Sequence, residues 1–176
     1  MNYLATNIDS KSELYEKLFA IKSPTLLLTF NKEQPNEFLL LQFAQATIEL
    51  ETYHFGIRPQ IYPIEQTNSV LIGHSQELIY CSIDGPKIIW RQNLDDCFFE
   101  FKIIDELKMI IVISETAVTS FNFSGRELWR HSASDIIIFF EFSTFEIKIV
   151  TMDEHTLLLN LKTGLSRNRV RRADDY

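Results

Sequence analysis

The sequence contains few turn-forming residues and no long apolar run. Its 176 residues include only five glycines and five prolines. A phosphate-binding loop needs several closely spaced glycines, so no such loop is predicted. The longest unbroken apolar segments, residues 109–113 and 136–140, hold five residues each. A membrane-spanning helix needs about 20 apolar residues, and we therefore expect no membrane-spanning segment.

Cysteines and paired metal ligands are also scarce. The two cysteines, Cys81 and Cys97, lie in apolar segments, and the N-terminus lacks the basic start and apolar stretch of a signal peptide. These features predict a cytoplasmic protein with buried, reduced thiols. Metal sites usually include two ligands at close spacing. The histidines do not show that spacing: His54, His74, His131 and His155. We predict neither a metal nor a cofactor.

The charge of the chain is predominantly acidic. Lys and Arg number 17 and Asp and Glu number 24, which gives a formal net charge of -7. Such a chain repels nucleic-acid phosphates over most of its surface. The exception is a basic cluster near the C-terminus, formed by Arg167, Arg169, Arg171 and Arg172. We predict that residues 166–176 form a solvated tail; RNA or an acidic partner bound through these arginines is the alternative.

One segment near the N-terminus carries helical signals. Ser10 stands three residues before Glu13 as a capping box, and Leu14 and Leu18 follow at helical spacing. This pattern predicts a helix over residues 10–21.

Beyond this helix the periodicity becomes that of strands. Two apolar runs, at residues 25–30 and 38–43, flank a turn-rich segment and together predict a β-hairpin over residues 25–43. Residues 46–55 alternate only loosely, so a third strand and a second helix both remain open for that segment.

The rest of the chain is repetitive. Gly85, Gly125 and Gly164 are spaced by 40 and 39 residues. The first two are each followed by a strand-like segment that ends in Trp-Arg, at Trp90 and Trp129. A fixed period of this length is typical of repeat architectures. We place the repeats at residues 69–164.

The repeat has a recognisable internal order. Each copy contains a strand, a short polar turn, a strand, and then a Gly turn leading into a strand that ends in Trp. This order resembles the blade repeat of quinoprotein-type β-propellers, over about two and a half copies. The resemblance implies four-stranded blades with the tryptophan packed between blades, and it says nothing about a quinone cofactor. The third copy departs from it, because no Trp follows Gly164 and the third turn needs one extra residue.

A second repeated element is the tetrapeptide Phe-Phe-Glu-Phe, which begins at Phe98 and again at Phe139. Its recurrence with Glu in the same place favours a core or inter-sheet role over stacking on nucleic-acid bases.

These patterns predict a mainly-β fold of antiparallel meander repeats of about 39–40 residues with one N-terminal helix, in a single globular domain over residues 1–165. The short connections exclude parallel crossovers. A small or incomplete propeller and a set of stacked sheets both fit this pattern.

No catalytic motif is complete. Gly73, His74 and Ser75 begin like a nucleophile elbow, but Glu77 replaces the second glycine and no helix follows. By elimination we predict a non-catalytic protein-interaction domain. The predicted partner contacts are acids expected at the ends of the blades: Glu77, Asp95, Asp96, Glu115, Asp153 and Glu154.

Two alternative functions remain open. One is a small bacterial immunity-type protein that neutralises a basic toxin domain, which a single concentrated acidic face would favour. The other is an enzyme whose site is built from unrecognised loop residues, which a deep pocket lined with titratable groups would favour.

Overall fold

The computed structural model describes residues 1–30, 35–53 and 56–168. The chain divides into two compact units, unit 1 (Met1–Cys97) and unit 2 (Phe98–Tyr176). Each unit is described by itself. The grouping of residues 1–165 into one globular domain stays a prediction.

The described residues form one α-helix and sixteen strands. Unit 1 holds α1 (Lys11–Ala20), β1 (Leu4–Ile8), β2 (Thr25–Thr29), β3 (Glu37–Gln42), β4 (Thr47–Thr52), β5 (Gln60–Ile64), β6 (Ser69–His74), β7 (Glu77–Ser82) and β8 (Lys87–Asn93). Unit 2 holds β9 (Phe98–Ile104), β10 (Met109–Ser114), β11 (Ala117–Asn122), β12 (Glu127–Ser132), β13 (Ile137–Phe142), β14 (Glu146–Thr151), β15 (Thr156–Asn160) and β16 (Ser166–Asn168).

Three of the four sheets are antiparallel meanders in which neighbouring strands follow each other along the chain. Sheet B contains β5–β8, sheet C contains β9–β12 and sheet D contains β13–β16. Their first strands begin at Gln60, Phe98 and Ile137, so the repeat starts nine residues before the predicted residue 69. The predicted fold class, mainly β with meander repeats and one N-terminal helix, is confirmed.

The two tryptophans occupy equivalent positions. Trp90 pairs with Tyr80 in sheet B, and Trp129 pairs with Ser120 in sheet C. In each sheet a β-bulge follows immediately, between Tyr80 and Cys81 and between Ser120 and Phe121. Both indole rings are half-buried. The two tryptophans therefore stand at the same register position of their sheets, each directly before a bulge.

The extra residue predicted for the third repeat lies in its Gly turn. The Gly125 amide donates to the Asn122 carbonyl at 3.0 Å, which closes a four-residue turn. The Gly164 amide donates to the Asn160 carbonyl at 2.8 Å, which is one residue farther back. The longer turn keeps the alternating side chains of β15 on the faces that the core requires.

The repeated Phe-Phe-Glu-Phe tetrapeptides are not structurally equivalent. Phe98 pairs with Ser114 at the end of β10, whereas the residue that pairs with Thr151 at the end of β14 is Ile137. Phe139 is therefore displaced by two positions, and it is 47% exposed. The predicted core role holds for Phe98 and is wrong for Phe139, because strand pairing rather than sequence identity sets the register.

Sheet A, in the order β1-β3-β4-β2, corrects the predicted hairpin. β2 and β3 do not pair with each other, because β4 lies between them, antiparallel to β3 and parallel to β2. All six residues of Thr47–Thr52 are buried, which explains the central position of β4. Within the ambiguous segment 46–55 these six residues form a strand, and His54 and Phe55 lie outside the described residues. The first strand, β1, was not predicted.

The predicted helix is confirmed as α1. The Ser10 hydroxyl caps its N-terminus by accepting a hydrogen bond from the Glu13 amide at 3.2 Å. Leu14 is fully buried and packs on one face of sheet A, together with Phe38 and Leu40. The opposite face of sheet A packs on sheet B through a second core whose members include Ile48, Leu50, Val70, Ile72 and Ile79.

The predicted C-terminal tail begins later than residue 166. Ser166–Asn168 forms β16, which pairs with β15 and is the fourth strand of sheet D. Placing these residues in a solvated tail was wrong, because the edge of β15 offers backbone partners whatever the side chains are. Arg169, Arg171 and Arg172 lie outside the described residues.

Within the described ranges, no helix has the length and apolar character needed to cross a membrane.

The two thiols differ in exposure. Cys81 is buried, and burial raises the pKa of its thiol to about 12. Cys97 is exposed at the end of unit 1, which corrects the prediction that both thiols are buried. Cys97 lies on the loop after β8, outside any strand.

Candidate interaction surface

Three loops meet at one end of unit 2. The Ala133 amide of the β12–β13 connection donates to the Thr116 carbonyl in the β10–β11 turn, and the Ile137 amide at the start of β13 donates to the Glu115 carbonyl in the same turn, both at 2.8 Å. The carbonyl of Ile136 accepts from the Met152 amide of the β14–β15 turn, also at 2.8 Å. These backbone bonds hold a turn of sheet C and a turn of sheet D to the loop that joins the two sheets.

Four acidic residues lie on these loops. We call them, together with the exposed Met152, the acidic turn surface: Glu115, Asp135, Asp153 and Glu154. Three of the four were predicted from the sequence. Asp135 was not predicted, and its carboxylate accepts a hydrogen bond from the Ile136 amide at 2.7 Å. Met152 is 61% exposed and places an apolar group among the carboxylates.

The Asp153 carboxylate is held by its own turn. The Thr151 hydroxyl donates to it at 2.5 Å, and this hydrogen bond is the main reason that the pKa of Asp153 lies below its usual range. Asp153 is therefore ionised at neutral pH. Glu154 has a left-handed φ of 62°, which turns the chain toward β15.

Ser134, His155 and Asp153 also meet on this surface, and they combine the residue types of a hydrolytic triad. Nδ1 of His155 lies 3.3 Å from the Ser134 hydroxyl and 3.3 Å from an Asp153 carboxylate oxygen. A triad needs one ring nitrogen for the serine and the other for the carboxylate. Here both partners approach the same nitrogen on an exposed ring, so the three residues order a turn and do not form an activated nucleophile.

Unit 1 holds the other three predicted contacts. Glu77 begins β7, and its carboxylate forms an ion pair with Arg91 at 2.5 Å. Arg91 also donates to the carbonyl of Thr29 in sheet A at 2.7 Å. Glu77 therefore helps to connect sheet B to sheet A, which makes it a structural residue as well as a surface charge.

Asp95 and Asp96 lie on the loop after β8. The Leu94 amide donates to the Gln76 carbonyl at 2.7 Å, so this loop meets the β6–β7 turn as the corresponding loop does in unit 2. The repeat thus places Glu77, Asp95 and Asp96 at one end of sheet B, and Glu115, Asp153 and Glu154 at one end of unit 2.

The structural role predicted for the repeat glycines is strongest at Gly164. The Trp129 indole donates to the Leu161 carbonyl at 3.1 Å. A Cβ atom on Gly164 would lie 2.6 Å from Cδ2 of that ring. Trp129 of sheet C therefore packs against the Gly turn of sheet D, as the resemblance to propeller blades implied.

A cavity of about 310 Å³ lies beside α1 in unit 1. Its lining is Thr6, Lys17, Ala20, Ile21, Leu40 and Gln42. Lys17 is the one titratable group among these residues, and its ammonium is paired with Glu13 at 2.9 Å. This lining does not provide the set of titratable groups that would favour an enzyme.

Comparisons with known proteins identify the fold and no family. No family model matches the chain, and no curated protein matches it. Among solved structures, Saccharomyces cerevisiae Sqt1 has a TM-score of 0.51 at 10% identity, covering 78% of this chain and 45% of its own. The N-terminal domain of Nup159 has a TM-score of 0.46 at 9% identity, covering 64% and 33%. The chain spans less than half the length of either structure.

The likeness to Sqt1 shows that the four-stranded sheets are β-propeller-type repeats. The coarser part of the predicted resemblance is therefore confirmed. The finer part of the resemblance, the quinoprotein subtype, is not supported.

Proposed function

We propose that the protein is a non-catalytic protein-interaction domain whose partner binds the acidic turn surface of unit 2. The observation that carries this proposal is the backbone hydrogen bonding of three loops into one surface that presents Glu115, Asp135, Asp153 and Glu154. Propeller-type repeats commonly present the loops at one edge of their sheets as a binding surface.

The chemistry of this surface favours a basic partner. Asp153 is held ionised, and the net charge of -7 adds a long-range field of the same sign. Met152 supplies an exposed apolar group that a partner side chain can cover. Charged rims mainly accelerate encounter, whereas a central apolar group contributes to the lifetime of a complex.

The preorganised loops reduce the entropy lost on binding. Their backbone is already fixed by hydrogen bonds of 2.8 Å to neighbouring turns. A partner therefore does not have to order them, which favours affinity.

The experiment is affinity capture of native partners with three forms of the protein. The test variant is Glu115→Gln with Glu154→Gln, which removes two charges from the acidic turn surface. The control is Asp105→Asn with Glu106→Gln, which removes two charges from the turn at the opposite end of β10. We expect the wild type and the control to retain the same basic protein and the test variant to lose it. Equal retention by all three forms would contradict the proposal.

A further inference from the structure

Sheet D has one face in the core of unit 2 and one open face. The core face carries Ile147, Ile149 and Leu159, which are fully buried. Successive side chains of a strand point to opposite faces, so the residues between these point away from the core. They and the residues paired with them are half-buried or exposed. We call the surface that they form the outer face of sheet D: Phe139, Glu141, Lys148, Val150, Thr156, Leu158 and Arg167.

Part of the outer face is apolar. Phe139 is 47% exposed, and its cross-strand neighbour Val150 is half-buried. Ile138, in the bulge that precedes Phe139, is 59% exposed. Leu158 adds a half-buried apolar group in the adjoining row, where it pairs with Lys148. Covering these groups with another apolar surface would remove them from water, which favours association.

The charges of the outer face stand in one row. The row crosses all four strands in register: Glu141, Lys148, Leu158 and Arg167. Glu141 on β13 and Arg167 on β16 are both exposed, and they lie on the two edge strands of the sheet. Three strand spacings separate their backbones, a distance of about 14 Å. The outer face therefore carries a negative group at one edge and a positive group at the other.

A two-fold axis that runs along the strands makes this arrangement self-complementary. Placed between two outer faces, such an axis turns β13 of one copy onto β16 of the other. Glu141 of each copy then faces Arg167 of the other copy, so two attractive pairs form together. Packed sheets lie about 10 Å apart, a gap that an extended glutamate and an extended arginine bridge. A two-fold axis across the strands would instead bring like charges together.

We propose that the outer face of sheet D binds a second copy of this chain in a symmetric dimer. The apolar groups lie between the two sheets, and the two pairs of Glu141 with Arg167 close its edges. Four strands span about 19 Å, and five or six residues of each strand span about 18 Å, so the flat area is about 350 Å² per copy. This is well below the area of about 800 Å² per partner in a standard interface, so we expect a weak dimer that depends on concentration.

The dimer does not rest on the proposed function of the acidic turn surface. That surface lies at an end of the strands, whereas the dimer uses a face of one sheet. Because the two-fold axis runs along the strands, the β14–β15 turns of both copies lie at the same end of the dimer. Two acidic turn surfaces presented together would raise the avidity for a partner with two basic sites.

The test is sedimentation velocity of the full chain at concentrations from micromolar to near millimolar. The wild type should shift from monomer toward dimer as the concentration rises. Glu141→Arg and Arg167→Glu each convert both attractive pairs into like-charge pairs, so each should raise the dissociation constant about tenfold or more. The control is Glu127→Arg, an exposed charge on β12 of sheet C, which should leave the dissociation constant unchanged. Thermal melts establish that each variant is folded.

A mixture of the two single variants tests the two-fold arrangement itself. One copy is then positive at positions 141 and 167 and the other is negative at both, so the pairs between them are attractive again. We expect the equimolar mixture to dimerise about as tightly as the wild type, although each variant alone does not. A mixture that stays monomeric would overturn the two-fold arrangement.

Three other outcomes would overturn the proposal. The first is a wild type that is monomeric at every concentration. The second is a pair of single variants that each dimerise as tightly as the wild type. The third is a chain that dimerises only after truncation following Asn168, which would show that the C-terminal tail covers this face. None of these outcomes would alter the result of the capture experiment on the acidic turn surface.

Discussion

Replacing Gly164 with alanine should destabilise unit 2 far more than the same replacement at Gly85 destabilises unit 1. Both glycines have a left-handed backbone, with φ of 67° and 61°. An alanine in that conformation costs on the order of 1 kcal/mol at either site. At Gly85 nothing lies within 4 Å of the added Cβ, so no further cost is expected there.

At Gly164 the added Cβ meets the indole ring of Trp129 at 2.6 Å, and either the ring or the turn must move. Overpacking of this kind costs about 1–3 kcal/mol. Moving the ring also endangers the Trp129–Leu161 hydrogen bond, which is worth about 1 kcal/mol. We therefore expect Gly164→Ala to cost about 2–5 kcal/mol in total.

The assay is urea denaturation followed by circular dichroism for the wild type, Gly85→Ala and Gly164→Ala. Adding Trp129→Phe to each protein gives a double-mutant cycle, and the smaller ring should relieve part of the cost of Gly164→Ala. Equal losses for the two alanine variants, or no coupling between Gly164 and Trp129, would refute the contact between the indole and the Gly turn.

Three other predictions concern thiols, a buried charge and the last strand. A maleimide should label Cys97 rapidly and Cys81 only after unfolding, because Cys81 is buried and its thiol pKa is about 12; equal labelling in the native protein would contradict this. Burial raises the pKa of Glu49 above its usual value, so the stability of the folded protein falls as the pH rises through that pKa. Glu49→Gln should therefore raise the melting temperature at neutral and higher pH and leave it unchanged in acid. A variant less stable than wild type at neutral pH would refute this. Truncation after Leu165 should lower the melting temperature more than truncation after Asn168, because only the former removes β16; equal melting temperatures would show that β16 contributes nothing.

Local signals made the helix and the repeats predictable. The capping residues of α1 lie within four positions of each other, and the Gly-to-Trp spacing is contained in a single hairpin. Such features depend on short-range geometry, so periodicity and turn residues are sufficient to find them.

Sheet A was not predictable in the same way. Its parallel pairing of β2 with β4 depends on which strand occupies the centre, and that is decided by burial between α1 and sheet B. The register of β13 has a similar origin. Identical tetrapeptides suggested equivalent positions, whereas pairing with β14 placed Ile137 where Phe98 stands in sheet C.

The candidate surface was partly visible in the sequence. Acidic pairs in predicted turns led to Asp153 and Glu154, but the sequence does not show that Asp135 and Ser134 join them through a separate loop. Nor does it show that Arg91 neutralises Glu77. Both facts depend on contacts between segments that are distant in the chain.

The most direct test of the proposed function is the association rate of the captured partner with the two charge variants at low and high salt. Electrostatic steering should make Glu115→Gln with Glu154→Gln associate severalfold more slowly than wild type at low salt, with little difference at high salt. Asp105→Asn with Glu106→Gln should remain close to wild type, and all three proteins should have similar melting temperatures. Equal association rates for the two variants at low salt would contradict a binding site at the acidic turn surface.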